Sequence, residues 1–249
     1  MKALAVIGYH HSGKTTTVIA LVTALRARGY SVATIKDIHS EKYRADTPGK
    51  NSALHIEAGS IQTIARGLYD TAIIYPKQLN LSEMITHINA DFLIIEGMKD
   101  AAVPKIVCGS EPAQLDELID DTCIGISSLN AKQRISHLNL PVFNLPEEKD
   151  QLCERVLSSA FEILPLAEEE CCGRCGGSCF DMAGNIVQGR KERSDCVLDH
   201  QNRLMLKVDG KEVVIVPFVQ NILKDTIQAI VNNLHNIARD KDIEIQIRH

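Results

Sequence analysis

The first 165 residues contain short apolar runs that alternate with polar segments of helical period. Residues 3–7 form an apolar run that predicts a short buried strand. In residues 16–28 the apolar side chains recur every three or four positions, which predicts an amphipathic helix. Residues 31–35 predict a second strand, and a strand, helix and strand in this order form a right-handed parallel unit.

The alternation of strands and helices continues to about residue 165. Further strands are predicted at residues 61–65, 71–75, 92–95, 104–108, 122–126 and 141–143. Further helices are predicted at residues 52–58, 81–88 and 153–164. Strands that alternate with helices are typical of α/β folds, so residues 1–165 predict a domain with a mainly parallel sheet.

The pattern changes after residue 165. Five of the eight cysteines lie between residues 171 and 196. Residues 203–216 then predict a β-hairpin about an Asp-Gly turn, and residues 217–238 predict an amphipathic helix. Residues 166–249 are therefore predicted to form a small second domain of the α+β class.

A phosphate-binding motif occupies the turn between the first strand and the first helix. Gly8, Gly13, Lys14 and Thr15 fit the pattern G-x-x-x-x-G-K-[ST]. Such a loop places backbone N–H groups and the positive end of a helix around phosphate. Lys14 is predicted to neutralise the β- and γ-phosphates, and the Thr15 hydroxyl to ligate Mg²⁺. The predicted nucleotide-binding residues are Gly8, His10, His11, Ser12, Gly13, Lys14, Thr15 and Thr16.

Two carboxylates follow predicted strands. Asp37 follows the strand at 31–35, and Glu96 ends the strand at 92–95. Ligands bind at the carboxyl ends of parallel strands in such folds. Asp37 is a candidate Mg²⁺ ligand, with a solvated turn residue as the alternative. Glu96 is predicted to hold the metal or orient water, and with Lys14 to be catalytic.

Four cysteines predict a metal site in the second domain. Cys172, Cys175, Cys179 and Cys196 have the spacing C-x2-C-x3-C-x16-C, which suits a [4Fe–4S] cluster. Zinc is an alternative, although structural zinc sites favour two C-x2-C pairs and only one occurs. A segment without metal is the remaining alternative, and Cys171 is a substitute for Cys172 as the first ligand.

Composition and the distribution of apolar residues argue against two kinds of binding partner, nucleic acid and membrane. The formal net charge is -5, aromatic residues make up 4% and tryptophan is absent, which argues against a nucleic-acid surface. No run approaches the ~18 apolar residues of a membrane span, and the phosphate-binding motif lies where the apolar region of a signal peptide would be. The protein is expected to be cytoplasmic, where clustered cysteines favour metal or redox chemistry over disulfides.

Residues 1–165 resemble the MobB family, the molybdopterin-guanine dinucleotide biosynthesis proteins B. The resemblance rests on five motifs: Gly8–Thr16, Ile35-Lys36, Asp46-x-Pro48-Gly49-Lys50-x-Ser52, Ala58-Gly59, and Ile95-Glu96-Gly97-x-Lys99 with Pro104-Lys105-Ile106. It implies GTP binding with Mg²⁺, slow hydrolysis, and assistance to the guanylyltransferase that completes the molybdenum cofactor. Related P-loop maturation proteins are usually dimeric, so a homodimer is expected. Residues 172–196 resemble the four-cysteine domain of corrinoid iron–sulfur proteins.

Two hypotheses about function follow. The first is a GTP-binding, slowly hydrolysing accessory protein for molybdenum or tungsten cofactor maturation. In it, the iron–sulfur module senses redox state or docks a molybdoenzyme client. The alternative is an iron–sulfur electron-transfer or scaffold subunit whose assembly is gated by nucleotide. The residues alone do not choose GTP over ATP, because Asn130-Ala131-Lys132 lacks the carboxylate that pairs with guanine in many GTPases.

Overall fold

The computed structural model describes residues 1–129, 140–166, 175–196, 206–208, 211–213 and 217–234, together with Ile243 and Ile245. The chain divides into two compact units, Met1–Asp195 and Cys196–His249. The domain boundary that composition predicts at residue 165 stays a prediction, because residues 167–174 lie outside the described residues.

The first unit is built on a six-stranded parallel sheet and a separate antiparallel hairpin. The strands are β1 (Lys2–Gly8), β2 (Val32–Lys36), β3 (Thr63–Arg66), β4 (Thr71–Ile74), β5 (Phe92–Glu96), β6 (Lys105–Cys108), β7 (Cys123–Ser128) and β8 (Val142–Asn144). The order in the main sheet is β2-β5-β1-β6-β7-β8, and all its pairs are parallel. Strands β3 and β4 form the hairpin. The predicted α/β class with a mainly parallel sheet is confirmed.

Helices cover both faces of the sheet. They are α1 (Lys14–Ala27), α2 (Asn51–Glu57), α3 (Leu81–Ile85), α4 (Pro112–Asp116), α5 (Lys149–Ser159) and α6 (Cys179–Val187). Alternate residues of a strand point to opposite faces. Leu4 therefore packs with Leu21 of α1 on one face, while Ile7 packs with Leu115 of α4 on the other. Burial on both sides explains why β1 is an unbroken apolar run.

The helix predicted at residues 153–164 is displaced in the structure. Helix α5 spans Lys149–Ser159, and Ala160 is already extended with ψ 127°. The following residues run beside β1, where Ile163 N donates to Met1 O at 3.1 Å. The apolar side chains of Phe161 and Ile163 were therefore wrongly assigned to a helical face, because they enter the core from an extended segment.

Residues 175–195 pack against the rest of the first unit. Gln188 Nε2 donates to Asp121 O at 2.9 Å, and Arg193 Nε donates to Glu162 O at 2.8 Å. A Cβ on Gly184 of α6 would lie 2.9 Å from the Asp121 Cβ, so only glycine permits this approach. Helix α6 is thus docked at the amino end of β7 through a contact that the sequence pattern does not reveal.

The described part of the second unit contains β9 (Leu206–Val208), β10 (Lys211–Val213) and α7 (Pro217–Asn232). The two strands pair antiparallel, as the predicted hairpin requires. The predicted turn, residues 209–210, lies outside the described residues, and so do residues 235–242 beyond the helix. Among the helices of the described residues, none is both long enough and apolar enough to cross a membrane.

Candidate functional site

The loop between β1 and α1 has the backbone that the glycines of the motif allow. Gly13 caps α1 with φ 96°, a left-handed conformation that glycine adopts without strain. A Cβ at Gly13 would lie 2.8 Å from the Leu129 side chain. A Cβ at Gly8 would lie 2.6 Å from the Cys108 carbonyl oxygen. The loop is therefore packed so closely on β6 and β7 that side chains at these two positions would not fit.

Lys14 folds back onto its own loop. Its ammonium donates to the carbonyl oxygens of Gly8 at 3.0 Å and Tyr9 at 2.6 Å. An ammonium has three donor hydrogens, so one remains for an anion in the loop. The Ser12 Oγ is buried and has no hydrogen-bond partner among the described residues. A lysine donor and an unpaired buried hydroxyl in one glycine-bounded loop fit the oxygens of a phosphate group.

Three neighbouring strands bring Thr15, Lys36 and Glu96 together. The Thr15 hydroxyl donates to Glu96 Oε1 at 2.8 Å, and Lys36 Nζ lies 3.0 Å from the same oxygen. Glu96 is 8% exposed. The register explains the meeting, because Glu96 pairs with Val6 of β1 and with Lys36 of β2. Glu96 thus lies next to the phosphate loop as predicted, whereas no sequence signal predicts a role for Lys36.

Asp37 lies at the same edge of the sheet but has a different partner. Its backbone N–H donates to the Glu96 carbonyl oxygen at 2.9 Å. Its carboxylate pairs with His39 Nε2 at 2.9 Å. Gly97, with φ 100°, makes room for Asp37, since a Cβ there would lie 3.1 Å from the Asp37 Cβ. Both interpretations of Asp37, a Mg²⁺ ligand or a turn residue, stay open.

The donor atoms present suit Mg²⁺. This ion prefers oxygen ligands and is usually held by one or two protein groups together with phosphate oxygens. The Thr15 hydroxyl and the Glu96 carboxylate meet at 2.8 Å beside the loop, which is the donor set expected for such a site. The residues therefore fit the ion, and the assignment of Thr15 and Glu96 as ligands stays a prediction.

The buried side chain of Thr17 holds the loop in place through hydrogen bonds. Thr17 Oγ1 donates to Gly13 O at 3.0 Å and lies 2.8 Å from Ser127 Oγ. The Cys108 thiol donates to Thr17 Oγ1 at 3.3 Å. Burial raises the pKa of the Cys108 thiol to about 11, so this cysteine is neutral and unreactive near neutral pH. Thr17 and Ser127 lie outside the motif and meet only in the fold, so no sequence signal predicts this contact.

An open cleft of about 250 Å³ lies beside the loop, on the side of β6 and β7. Its walls are formed by His10, His11, Ser12, Gly109, Ser110, Glu111, Gln114 and Leu129. The predicted binding residues His10 and His11 are exposed, with ring centroids 6.2 Å apart, and Thr16 is exposed on the first turn of α1. Since Glu96 lies on the opposite side of β1, the loop separates this cleft from the carboxylate.

Tyr9 anchors the start of the loop. Its hydroxyl donates to Glu117, which follows α4, and this hydrogen bond raises the pKa of Tyr9. The Lys99 ammonium lies 5.1 Å from the centre of the Tyr9 ring, within cation–π distance. Tyr9, at the variable position after Gly8, thus contacts one residue that follows α4 and one that follows β5, a role that the motif does not specify.

The cysteine site is described only in part. Cys172 lies outside the described residues, and Cys175 and Cys179 belong to the first unit while Cys196 belongs to the second. The three described cysteines are not in disulfides. Across the described ranges, no three His, Cys, Asp or Glu side chains lie close enough together to hold a metal ion. The cluster of Cys172, Cys175, Cys179 and Cys196 stays a prediction.

A glycine-bounded loop between β1 and α1, next to a buried carboxylate at the end of β5, defines a P-loop α/β protein. Residues 3–127, half of the 249-residue chain, match the family described as MobB, molybdopterin guanine dinucleotide synthesis protein B. The chain belongs to this family, which confirms the resemblance inferred from the sequence.

Two relatives and one solved structure show how far the likeness extends. A putative molybdopterin-guanine dinucleotide biosynthesis adapter protein of Methanocaldococcus jannaschii is 27% identical over 253 residues, which cover 99% of this chain and 97% of the relative. The Escherichia coli adapter protein of the same name is 31% identical over 137 residues, 50% of this chain and 77% of the relative. The crystal structure of Bacillus subtilis MobB matches with a TM-score of 0.53 and 25% identity, covering 62% of this chain and 98% of that chain. The archaeal relative thus matches the cysteine-containing part as well, whereas the Bacillus structure leaves more than a third of this chain uncovered.

Proposed function

We propose that the protein binds GTP with Mg²⁺ at the phosphate loop, hydrolyses it slowly, and acts as an adapter in molybdopterin-guanine dinucleotide biosynthesis. The observation that carries the nucleotide site is the meeting of Thr15 and Glu96 at 2.8 Å beside the loop that holds Lys14. Family membership and the names of the relatives support the adapter role.

Each part of the loop has a distinct role in this proposal. The backbone N–H groups of residues 11–15 surround the phosphates, and the Lys14 ammonium donates to them. Thr15 and Glu96 would hold Mg²⁺ and its water, and the ion would supply positive charge that offsets the charge of the phosphates. The nucleoside lies on the other side of the loop, toward the cleft lined by His10 and His11.

Nucleotide binding is tested first. Isothermal titration of the purified protein with GTP and with ATP, each with Mg²⁺, is expected to give binding that favours GTP. Omitting Mg²⁺ is expected to weaken it, because the phosphate charge is then less neutralised. Absence of binding to either nucleotide would contradict the nucleotide part of the proposal, and tighter binding of ATP would reassign the base.

The adapter role is tested with the partner enzyme. The protein is proposed to bind the guanylyltransferase that completes the cofactor, and to bind it differently with GTP, GDP or no nucleotide. Biolayer interferometry with immobilised guanylyltransferase measures this directly. Lys14→Ala is the matched variant, expected to bind independently of nucleotide. Failure of the wild-type protein to bind the enzyme in any nucleotide state contradicts the adapter role.

A homodimer is proposed through the hairpin of β3 and β4. This hairpin forms its own two-stranded sheet and exposes the apolar side chains of Ile64, Leu68, Tyr69 and Ile73, and Ile61 is exposed just before β3. Contiguous exposed apolar surface is typical of protein interfaces. Sedimentation velocity is expected to give a dimer, and Ile64→Lys is expected to give a monomer. A dimer that survives this change, or a wild-type monomer, contradicts the proposal.

The four cysteines are proposed to hold a [4Fe–4S] cluster, with zinc as the rival metal. The support is their spacing in the sequence, C-x2-C-x3-C-x16-C. Protein purified without oxygen is expected to contain iron and sulfide, and Cys175→Ser is expected to lose most of both. Cys153→Ser, which changes a buried cysteine of α5, is the matched control. Stoichiometric zinc without iron after anaerobic reconstitution would replace the cluster with a zinc site.

A further inference from the structure

Glu96 Oε1 is shared by two donors. The Thr15 hydroxyl is 2.8 Å and the Lys36 ammonium 3.0 Å from this single oxygen. The side chain of Glu96 is 11% exposed, whereas that of Lys36 is 58% exposed. The carboxylate is therefore held in place by the fold, while the lysine approaches it from the solvent on a flexible stem.

This arrangement conflicts with the loaded state of the proposed site. If Thr15 and Glu96 hold Mg²⁺, the oxygen that accepts from Lys36 faces a divalent cation. Two positive charges within a few ångströms of each other repel strongly where water is partly excluded. Metal bound at this carboxylate therefore favours a Lys36 side chain that has left Glu96.

The terminal phosphate of a bound nucleotide would offer Lys36 another anion on the same side of the loop. Lys36 ends β2, two strands from β1, on the Glu96 side of the phosphate loop. If Thr15 helps to hold the metal of a bound nucleotide, the terminal phosphate is expected on this side of the loop too. A long, exposed lysine side chain can turn from the carboxylate to this phosphate without any change in the backbone.

We propose that Lys36 is a sensor of the terminal phosphate, which pairs with Glu96 in the nucleotide-free and GDP-bound protein and with the γ-phosphate of bound GTP. The inference rests on the proposed GTP binding and deepens it. Lys36 contacts the phosphate directly, while Glu96 becomes free for the metal. A single lysine thus distinguishes the two nucleotide states.

The test compares two ligands that differ by one phosphate. Affinities for GDP and for a non-hydrolysable GTP analogue, each with Mg²⁺, are measured by isothermal titration. The wild-type protein is expected to prefer the GTP analogue. A hydrogen bond to a charged group contributes about 1.5–3 kcal/mol, so Lys36→Met is expected to lose roughly tenfold to a hundredfold of affinity for the analogue. Its affinity for GDP is expected to change much less, and Lys36→Arg, which keeps the charge, is expected to retain part of the preference.

The controls separate charge from stability. Lys42→Met removes a charge from an exposed lysine of the segment that follows β2 and is expected to match the wild-type protein. Lys36→Gln keeps a donor for Glu96 and replaces Lys36→Met if that variant does not fold. The inference is overturned if the neutral variants keep the wild-type preference, or if the wild-type protein binds both nucleotides equally. Neither outcome affects the proposed GTP binding, which fails only if the wild-type protein binds neither nucleotide.

Discussion

A lysine is paired with a carboxylate at each end of the strands of the main sheet, but the two lysines differ in their access to solvent. We call the side where the parallel strands end the carboxyl edge, and the side where they begin the amino edge. At the carboxyl edge, Lys36 pairs with Glu96 and its side chain is 58% exposed. At the amino edge, Lys105 pairs with Asp120 at 3.0 Å and its side chain is 0% exposed. The Phe180 ring of α6 covers the Lys105 ammonium at 4.2 Å.

The exposed member of each pair determines what the pair can do. At the carboxyl edge the lysine is exposed and the carboxylate buried, so the lysine can exchange partners at little cost in desolvation. At the amino edge the lysine is buried, and a buried ammonium without its partner costs several kcal/mol, about 3–5 in measured cases. The pair at the carboxyl edge therefore suits the exchange of partners proposed for Lys36, whereas the pair at the amino edge stabilises the packing of α6.

The largest expected effect is on stability at the amino edge. Asp120→Ala leaves Lys105 buried without a carboxylate and is expected to lower the free energy of unfolding by about 3–5 kcal/mol. Lys105→Met is expected to cost only about 1 kcal/mol, because Asp120 is 36% exposed and keeps its hydrogen bonds from Thr122. Urea denaturation measures both variants. Equal losses of unfolding free energy in the two variants would mean that the different burial of Lys105 and Asp120 has no effect on stability.

At the carboxyl edge the largest effect is expected on binding. Lys14→Ala removes the ammonium that is proposed to bind the phosphates and is expected to weaken GTP binding more than about a hundredfold. Its melting temperature is expected to change little, because the lysine bonds only to carbonyl oxygens of its own loop. Lys42→Ala is the control. Unchanged affinity for GTP and ATP in Lys14→Ala would contradict the phosphate-loop assignment.

A smaller effect is expected when Glu96 loses its charge but keeps its shape. Glu96→Gln is expected to slow GTP hydrolysis by about a hundredfold, since the carboxylate acts on the metal or its water, and to change GTP affinity only a few-fold. Single-turnover assays and titrations separate the two quantities. Unchanged turnover and Mg²⁺ dependence in Glu96→Gln would make Glu96 structural.

Asp37→Asn, measured in the same assays, tests the open role of Asp37. A slower rate of hydrolysis supports a metal ligand, and a wild-type rate supports a turn residue.

The smallest effect is the pH dependence at the amino edge. Partial burial raises the pKa of Asp120. Hydrogen bonds from Thr122 and Lys105 together lower it by a larger amount, so the pKa lies below its ordinary value. The unfolded state then binds the proton more tightly, so this stabilisation is complete above the ordinary pKa of 3.8 and is lost as the pH falls through the folded value. Urea denaturation across this acidic range is expected to show a smaller loss of stability in Asp120→Asn than in wild type. If wild type and Asp120→Asn lose stability equally as the pH falls, Asp120 does not contribute to the loss of stability in acid.

Much of the carboxyl edge could be predicted from the sequence, because its chemistry is local. Gly8, Gly13, Lys14 and Thr15 are spaced for one turn between a strand and a helix, and the end of an apolar strand marks Glu96. Lys36 carried no such signal, since a lysine at the end of a strand is ordinary until β2 pairs with β5. Its register against Glu96 is what gives it a partner.

The amino edge and the end of α5 show what local patterns miss. Phe161 and Ile163 follow a helix with the right apolar spacing, yet the chain leaves the helix at Ala160 to run beside β1. The helical period was misleading because buried residues are apolar whether they reach the core from a helix or from an extended segment. Lys105 likewise looks like a surface residue until Asp120 and Phe180 close over it.

The sequence alone determined the α/β class, the phosphate loop and the family, because these follow from the spacing of apolar residues and of a few glycines along the chain. The tertiary structure alone decided which distant groups meet: Thr15 with Glu96, Lys36 with the same carboxylate, and Lys105 with Asp120 and Phe180. The physical reason is that spacing encodes hydrogen bonding and burial within one element. The energy of a charged side chain depends instead on the strand order and on the atoms that exclude water around it.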